Sequence, residues 1–201
     1  KAMDSFMSGT ADLQEVLFNE MVGRLKEDDS EVPYFYKGYY YYSKTKKGLN
    51  HRIYCRKKGS MESPEQVLLD LNEIAKTKKN VVLGDLAVSP NQKILAYTID
   101  EMGKEVYTLL FKNIDSGKHY EDKVINISPD STWAEDNQHI FFTKMNKAFR
   151  HYRGYSYRLG SQTNPKLVYE EKDELFDISF EKSMDHKYIF LTSESYTSTE
   201  I

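Results

Sequence analysis

The chain has 201 residues, 39% hydrophobic and 29% charged, with a formal net charge of -3 and a mean hydropathy of -0.68. This balance excludes a disordered tail, and no apolar run approaches the ~20 residues a membrane helix needs. The basic residues form no stripe of the kind that grips nucleic acid.

Aromatic residues make up 13% of the chain, with 16 Tyr and 10 Phe, and these suit the pleated, half-buried surfaces of strands. Cys55 is the single cysteine, so no disulfide can form within the chain. It lies in the alternating run Arg52–Arg56, where a small buried thiol is expected. One reduced thiol and no leader pattern fit a cytoplasmic protein.

In chain order, the first predicted element is an amphipathic helix over Thr10–Glu27. Leu13, Leu17, Met21 and Leu25 recur every four residues, with Thr10 as N-cap and Asp12 in the first turn. The apolar stripe is narrow, so the helix is expected to lie on something larger. Asp28–Pro33 then reads as a polar linker closed by proline. The basic knots Lys44–Lys47 and Arg56–Lys58 read as solvated hairpin ends.

From residue 37 onward the pattern is short apolar runs between Gly, Asn, Asp and Lys turns, interrupted by Pro64–Ala75 as a strand and a short helical turn. Three stretches align: Ser89–Thr98, Ala134–Thr143 and Ser183–Thr192. Their closing threonines recur at about 45–50 residues, and Lys37–Ser43 is a plausible earlier copy. After the first three of these four a second strand follows (His51–Arg56, Glu105–Asn113, Tyr152–Leu159). A glycine turn and a third strand come next (Gln66–Leu69, Glu121–Val124, Lys166–Tyr169). Four-stranded units at this period are the signature of a β-propeller. The expected fold is mainly β, a partial propeller of about three to four blades preceded by one helix. Propellers have about four to eight blades, so both ends read as cuts in a longer chain.

Chemistry is sparse. The nearest match to a nucleophile elbow, Gly154–Arg158, fails at its last position and lies inside a strand, so no catalytic residue is assigned. His51, His119, His139, His151 and His186 have no partners at metal-ligand spacing, and no cofactor or metal is expected. Glu170, Glu171, Asp173 and Glu174 read as a solvated turn. Asn126-Ile127-Ser128 matches the glycosylation sequon and reads as a turn. Trp133, at the start of the second aligned copy, is expected to pack between blades.

Collinear runs carry a family resemblance: Gly38–Ser43, Tyr54–Gly59, Val67–Asn72, Val88–Pro90, Leu95–Tyr97, Glu105–Leu109, Trp133–Asn137, Tyr157–Gly160 and Val168–Asp173. Together they resemble the propeller of oligopeptidase B, in the prolyl oligopeptidase family of serine peptidases. The resemblance implies a seven-bladed propeller capping an α/β-hydrolase domain that follows in the chain. That domain would carry a Ser/His/Asp triad and cleave short basic peptides after Arg or Lys. It implies a division into residues 1–29 (a helix packed on the hydrolase domain), 30–36 (a hinge) and 37–201 (the propeller). It also matches Glu105 to a carboxylate that can pair with an arginine of the hydrolase domain, against a plain solvated loop acid. A stand-alone propeller that binds partners without catalysis is the rival reading.

Overall fold

The computed structural model describes residues 2–201 and divides into two compact units, one ending at Asn72 and one running from Glu73 to Ile201.

The first unit opens with helix α1 (Ala2–Met7), a 3-10 turn (Ser8–Thr10) and helix α2 (Ala11–Gly23). The predicted helix is therefore shorter at its C-terminal end, and a second helix precedes it. Thr10 does not cap α2; its hydroxyl donates back to the Met7 carbonyl at 2.7 Å, which suits the 3-10 turn. The stripe of Leu13, Leu17, Met21 and Leu25 is exposed throughout.

Strands β1 (Tyr34–Tyr36), β2 (Tyr39–Lys44), β3 (Ile53–Lys58) and β4 (Glu65–Asp70) form an antiparallel sheet in chain order. The first strand thus starts within residues 30–36. Ser30 bridges to Lys44, and Glu31 donates its N–H to the Ser43 carbonyl at 2.9 Å, so the polar segment is bonded along the end of β2. Cys55 is buried beside Tyr42 and Ile53, and burial pushes its thiol up to about 11. The thiolate needed for nucleophilic chemistry is therefore scarce.

Arg56 departs from the solvated reading of its knot, being only 1% exposed. Pairing opposite Tyr41 puts it on the aromatic face of the sheet. Its guanidinium lies 4.0 Å from the Tyr39 ring centroid, and its Nε donates to Gln66 Oε1 at 2.8 Å. Arginine tolerates such a place because its weakly hydrated plane stacks on aromatic rings.

A short helix, α3 (Leu71–Ala75), follows β4. The second unit then repeats the meander. One sheet holds β5 (Val82–Val88), β6 (Ile94–Asp100), β7 (Tyr107–Asn113) and β8 (His119–Ile127). The next holds β9 (Ser131–Trp133), β10 (His139–Met145), β11 (His151–Arg158) and β12 (Lys166–Glu170). A three-stranded sheet holds β13 (Asp177–Lys182), β14 (Ile189–Glu194) and β15 (Thr199–Glu200). No helix among the described residues is long and apolar enough to cross a membrane.

The turn that opens each aligned copy has a physical reason to recur. Gln92, Asn137 and His186 hold equivalent places, and each has a positive φ, at 65°, 61° and 62°. In each turn the residue two after Asn91, Asp136 or Asp185 donates its N–H to that side chain, at 3.1, 2.9 and 3.2 Å. These short polar side chains replace a backbone turn bond, which is why the pattern is visible in the sequence. His139 and His186 are partly exposed at these turns, as their positions imply.

Between the second and third sheets a core forms from Leu109, Phe111, Val124, Ile127, Ile140, Phe142 and Tyr157, with Trp133 at its inner end. Trp133 is 3% exposed, stands edge-on to Phe111 with centroids 5.9 Å apart, and donates its indole N–H to the Ala87 carbonyl at 3.1 Å. At the other end of the same seam, on β8, the Asp122 carboxylate accepts the Tyr157 hydroxyl at 2.6 Å and the Gly160 N–H at 2.7 Å. The next seam closes on Gly154, where an added Cβ would come within 2.6 Å of the Phe180 ring. Arg150 straps the crossing into β13, donating to the carbonyls of Glu171, Asp173 and Phe176 at 2.8–2.9 Å.

Candidate functional site

Two places in the second unit gather chemistry. The first is a hollow of about 320 Å³ along the opening strands of successive sheets. Asp85 of β5 accepts the Ser131 N–H and hydroxyl of β9, at 3.1 and 2.9 Å. Thr132 of β9 donates to the Phe180 carbonyl of β13 at 3.1 Å. These links join residues 46 and 48 apart, the period of the repeat. The hollow is walled by the carboxyl groups of Asp85, Asp130 and Glu181, the hydroxyls of Ser131, Thr132, Thr143 and Ser179, and the rings of Phe141 and Phe180. No Lys or Arg lines it among the described residues. Burial pushes the Asp85 carboxyl above the usual carboxylate range, against the pull of its Ser131 hydrogen bonds. His151 closes one end, its Nδ1 2.9 Å from the Thr143 hydroxyl. Such a lining attracts a cation and packs against its apolar stem.

The second place is the rim loop between β6 and β7, residues 101–106, which carries Glu105. Asp100, 2% exposed at the end of β6, organises this loop. Its Oδ1 accepts the N–H groups of Met102 and Gly103 at 2.7 and 2.9 Å. Its Oδ2 accepts those of Lys104 and Glu105 at 2.6 and 2.7 Å. Burial pushes this carboxyl up, but the four donors outweigh it and hold it below the usual range. Glu105 itself sits in the left-handed region, at φ 57°, which is uncommon for a residue with a side chain. Its side chain is exposed, and no hydrogen bond or ion pair among the described residues engages its carboxylate. Beside it runs a groove of about 440 Å³ lined by Met102, Lys104, Val106, Tyr107, Ile125 and Asn126.

A carboxylate such as Asp100, whose folded pKa is depressed, adds stability above its unfolded value, near pH 4, and loses it as pH falls through the folded value. Tyr107 is the ionisable side chain electrostatically coupled to it from the facing strand. Asp100→Asn is expected to lower the melting temperature at pH 7, with the gap to wild type closing below about pH 4. A gap of equal size in melts at pH 7 and pH 3 would contradict the assignment.

The rejected elbow Gly154–Arg158 lies in the middle of β11. Glu171 caps its own turn, accepting the Asp173 N–H at 2.9 Å and the Ser193 hydroxyl at 2.8 Å, which holds its carboxyl below the usual range. Asn126 and Ile127 end β8 rather than forming a free turn, and the Ser128 hydroxyl is buried, donating to the Thr143 carbonyl at 2.6 Å. Among the described residues no cluster of three or more His, Cys, Asp or Glu could hold a metal ion. Sequence reasoning singled out Glu105 but missed the hollow and Asp100. The 46–48-residue offsets between Asp85, Ser131 and Ser179 were the signal available for the hollow.

Repeated four-stranded meanders, joined through their opening strands, define a segment of a β-propeller. The chain belongs to the family described as prolyl oligopeptidase, N-terminal beta-propeller domain, whose model matches residues 1–201. It is 33% identical over 98% of its length to dipeptidyl aminopeptidase BI of Pseudoxanthomonas mexicana, covering 30% of that protein. It is 30% identical over 93% of its length to protease 2 of Moraxella lacunata, covering 28% of that protein. The chain therefore spans less than a third of these curated relatives. Among solved structures, oligopeptidase B from Leishmania major superposes with a TM-score of 0.88 at 27% identity, over 95% of this chain and 28% of that one. Oligopeptidase B from Trypanosoma brucei, with covalently bound antipain in a closed form, gives 0.86 at 25% identity, over 95% of this chain and 27% of that one.

Proposed function

We propose that the chain is the front part of the propeller of a serine oligopeptidase that cleaves short peptides after Arg or Lys. In this reading the nucleophile, base and acyl-enzyme chemistry belong to a hydrolase domain elsewhere in the full-length protein. The propeller limits substrate size and closes over the site. The exposed apolar stripe of α2 packs on that domain, residues 30–36 form the hinge, and Glu105 meets a cationic group across the domain boundary.

The observation that carries the proposal is the hollow on the opening strands. Its three carboxyl groups, with no Lys or Arg among the lining residues, suit a basic peptide on its way to the site. Its test uses the full-length protein with Asp130→Asn and Glu181→Gln together, at two exposed positions of the hollow. Wild type is expected to prefer a peptide amide with an extra upstream arginine over one with alanine there, and the double variant to lose that preference several-fold. A preference that survives the substitutions would remove the hollow from substrate recognition.

A second reading is favoured by the 33% identical relative, whose name describes release of dipeptides. The same acidic hollow would then hold a free N-terminal ammonium. Peptides with free and acetylated N-termini separate the two: only the second reading requires the free amine.

A further inference from the structure

We propose that Asp100 is a positioning residue for the rim contact: its buried carboxylate fixes the backbone of residues 102–105 so that Glu105 is presented to its partner in one orientation. This rests on the reading of Glu105 as an interdomain contact.

The geometry is demanding. An ionised carboxylate has about four acceptor sites, and Asp100 fills four of them with the successive N–H groups of Met102, Gly103, Lys104 and Glu105. No other side chain at this position meets that requirement. Asparagine keeps the shape but replaces one oxygen with an NH2, which would face the Lys104 and Glu105 N–H groups, or those of Met102 and Gly103, donor against donor. Glutamate adds a methylene in a place already closed to solvent.

The carboxylate also sustains a strained backbone. Gly103 has φ 67° and Glu105 φ 57°, so the chain turns left-handed twice within three residues. For a residue with a Cβ such a conformation is unfavourable and persists only when its surroundings fix it. Here the fixing group is Asp100, which binds the Glu105 N–H itself at 2.7 Å. The consequence is directional: the Glu105 side chain leaves the loop exposed and unpaired, beside the groove of Met102, Val106 and Ile125. Lys104 sits on the same loop, so a loop free to turn could offer a cation in place of the carboxylate. A contact that must exclude its opposite charge needs the loop held.

The experiment uses the full-length protein and reads domain closure as the radius of gyration from small-angle scattering at low and high NaCl, independent of turnover. An ion pair across the boundary is screened by salt, so wild type is expected to expand as NaCl rises. Glu105→Gln and Asp100→Asn should each be expanded at low salt and lose the salt response. The double variant should match either single one, because both changes remove the same contact. If Glu105→Gln abolishes the response and Asp100→Asn keeps it, the positioning role is wrong while the contact stands. If the two effects add, Asp100 acts elsewhere and the role is likewise wrong. If Glu105→Gln responds like wild type, the contact fails and the proposal with it. Should Asp100→Asn not fold, Gly103→Ala gives the same reading, since an added Cβ meets nothing closer than the Asn80 side chain at 3.8 Å but opposes the left-handed φ. A wild-type salt response in that variant overturns the proposal.

Discussion

Trp133→Ala is expected to destabilise the protein by about 3–5 kcal/mol, the cost of emptying an aromatic site in a packed core. The indole closes the inner end of the seam between the second and third sheets, where Phe111 and Phe142 leave no solvent to fill the space. Truncation also removes the indole hydrogen bond to the Ala87 carbonyl, which keeps its place opposite Ala96 in the sheet. Trp133→Phe keeps most of the area and loses that hydrogen bond, so it should fall about 1–2 kcal/mol below wild type. Urea melts of the three proteins check both values. A loss under 1 kcal/mol for the alanine variant would mean that the sheets do not depend on each other across this seam.

Trp133 also shows what the sequence can convey. Its place at the head of an aligned copy predicts a contact between blades, because an aromatic at a fixed phase of a structural repeat meets the same neighbour in each unit. The turns were legible for a similar reason: Asn91, Asp136 and Asp185 each complete a turn by themselves, so their chemistry is local. The opening strands were not legible. Strand β9 has three residues and β1 three, too short for a period-two pattern, and residues such as Ser131, Thr132 and Ser179 turn polar groups toward the hollow. Arg56 was misread because a basic knot is normally solvated, and only the pairing of β3 with β2 puts it under the tyrosines.

The helix boundary illustrates another limit. Periodicity over Thr10–Glu27 specifies an apolar face, but α2 ends at Gly23 because residues 27–31 are drawn along β2, with the Thr45 hydroxyl donating to the Glu27 carbonyl at 2.7 Å. Glu105 was visible as a residue, through the resemblance, but not as a geometry. Its left-handed backbone and the clamp of Asp100 are products of four hydrogen bonds to one side chain, which no spacing rule encodes.

As proposed, this propeller belongs to a serine peptidase selective for basic residues. Assays of the full-length protein on peptide amides that differ only in the residue before the scissile bond, Arg, Lys, Pro or Ala, decide the matter. A site that pairs a basic side chain with buried acid discriminates strongly, since a neutral side chain leaves that acid unpaired. The expected result is hydrolysis after Arg and Lys at least about a hundredfold above the others in kcat/KM, abolished by a serine-directed covalent inhibitor. Selective cleavage after proline or alanine, or turnover that the inhibitor leaves untouched, would overturn the proposed specificity.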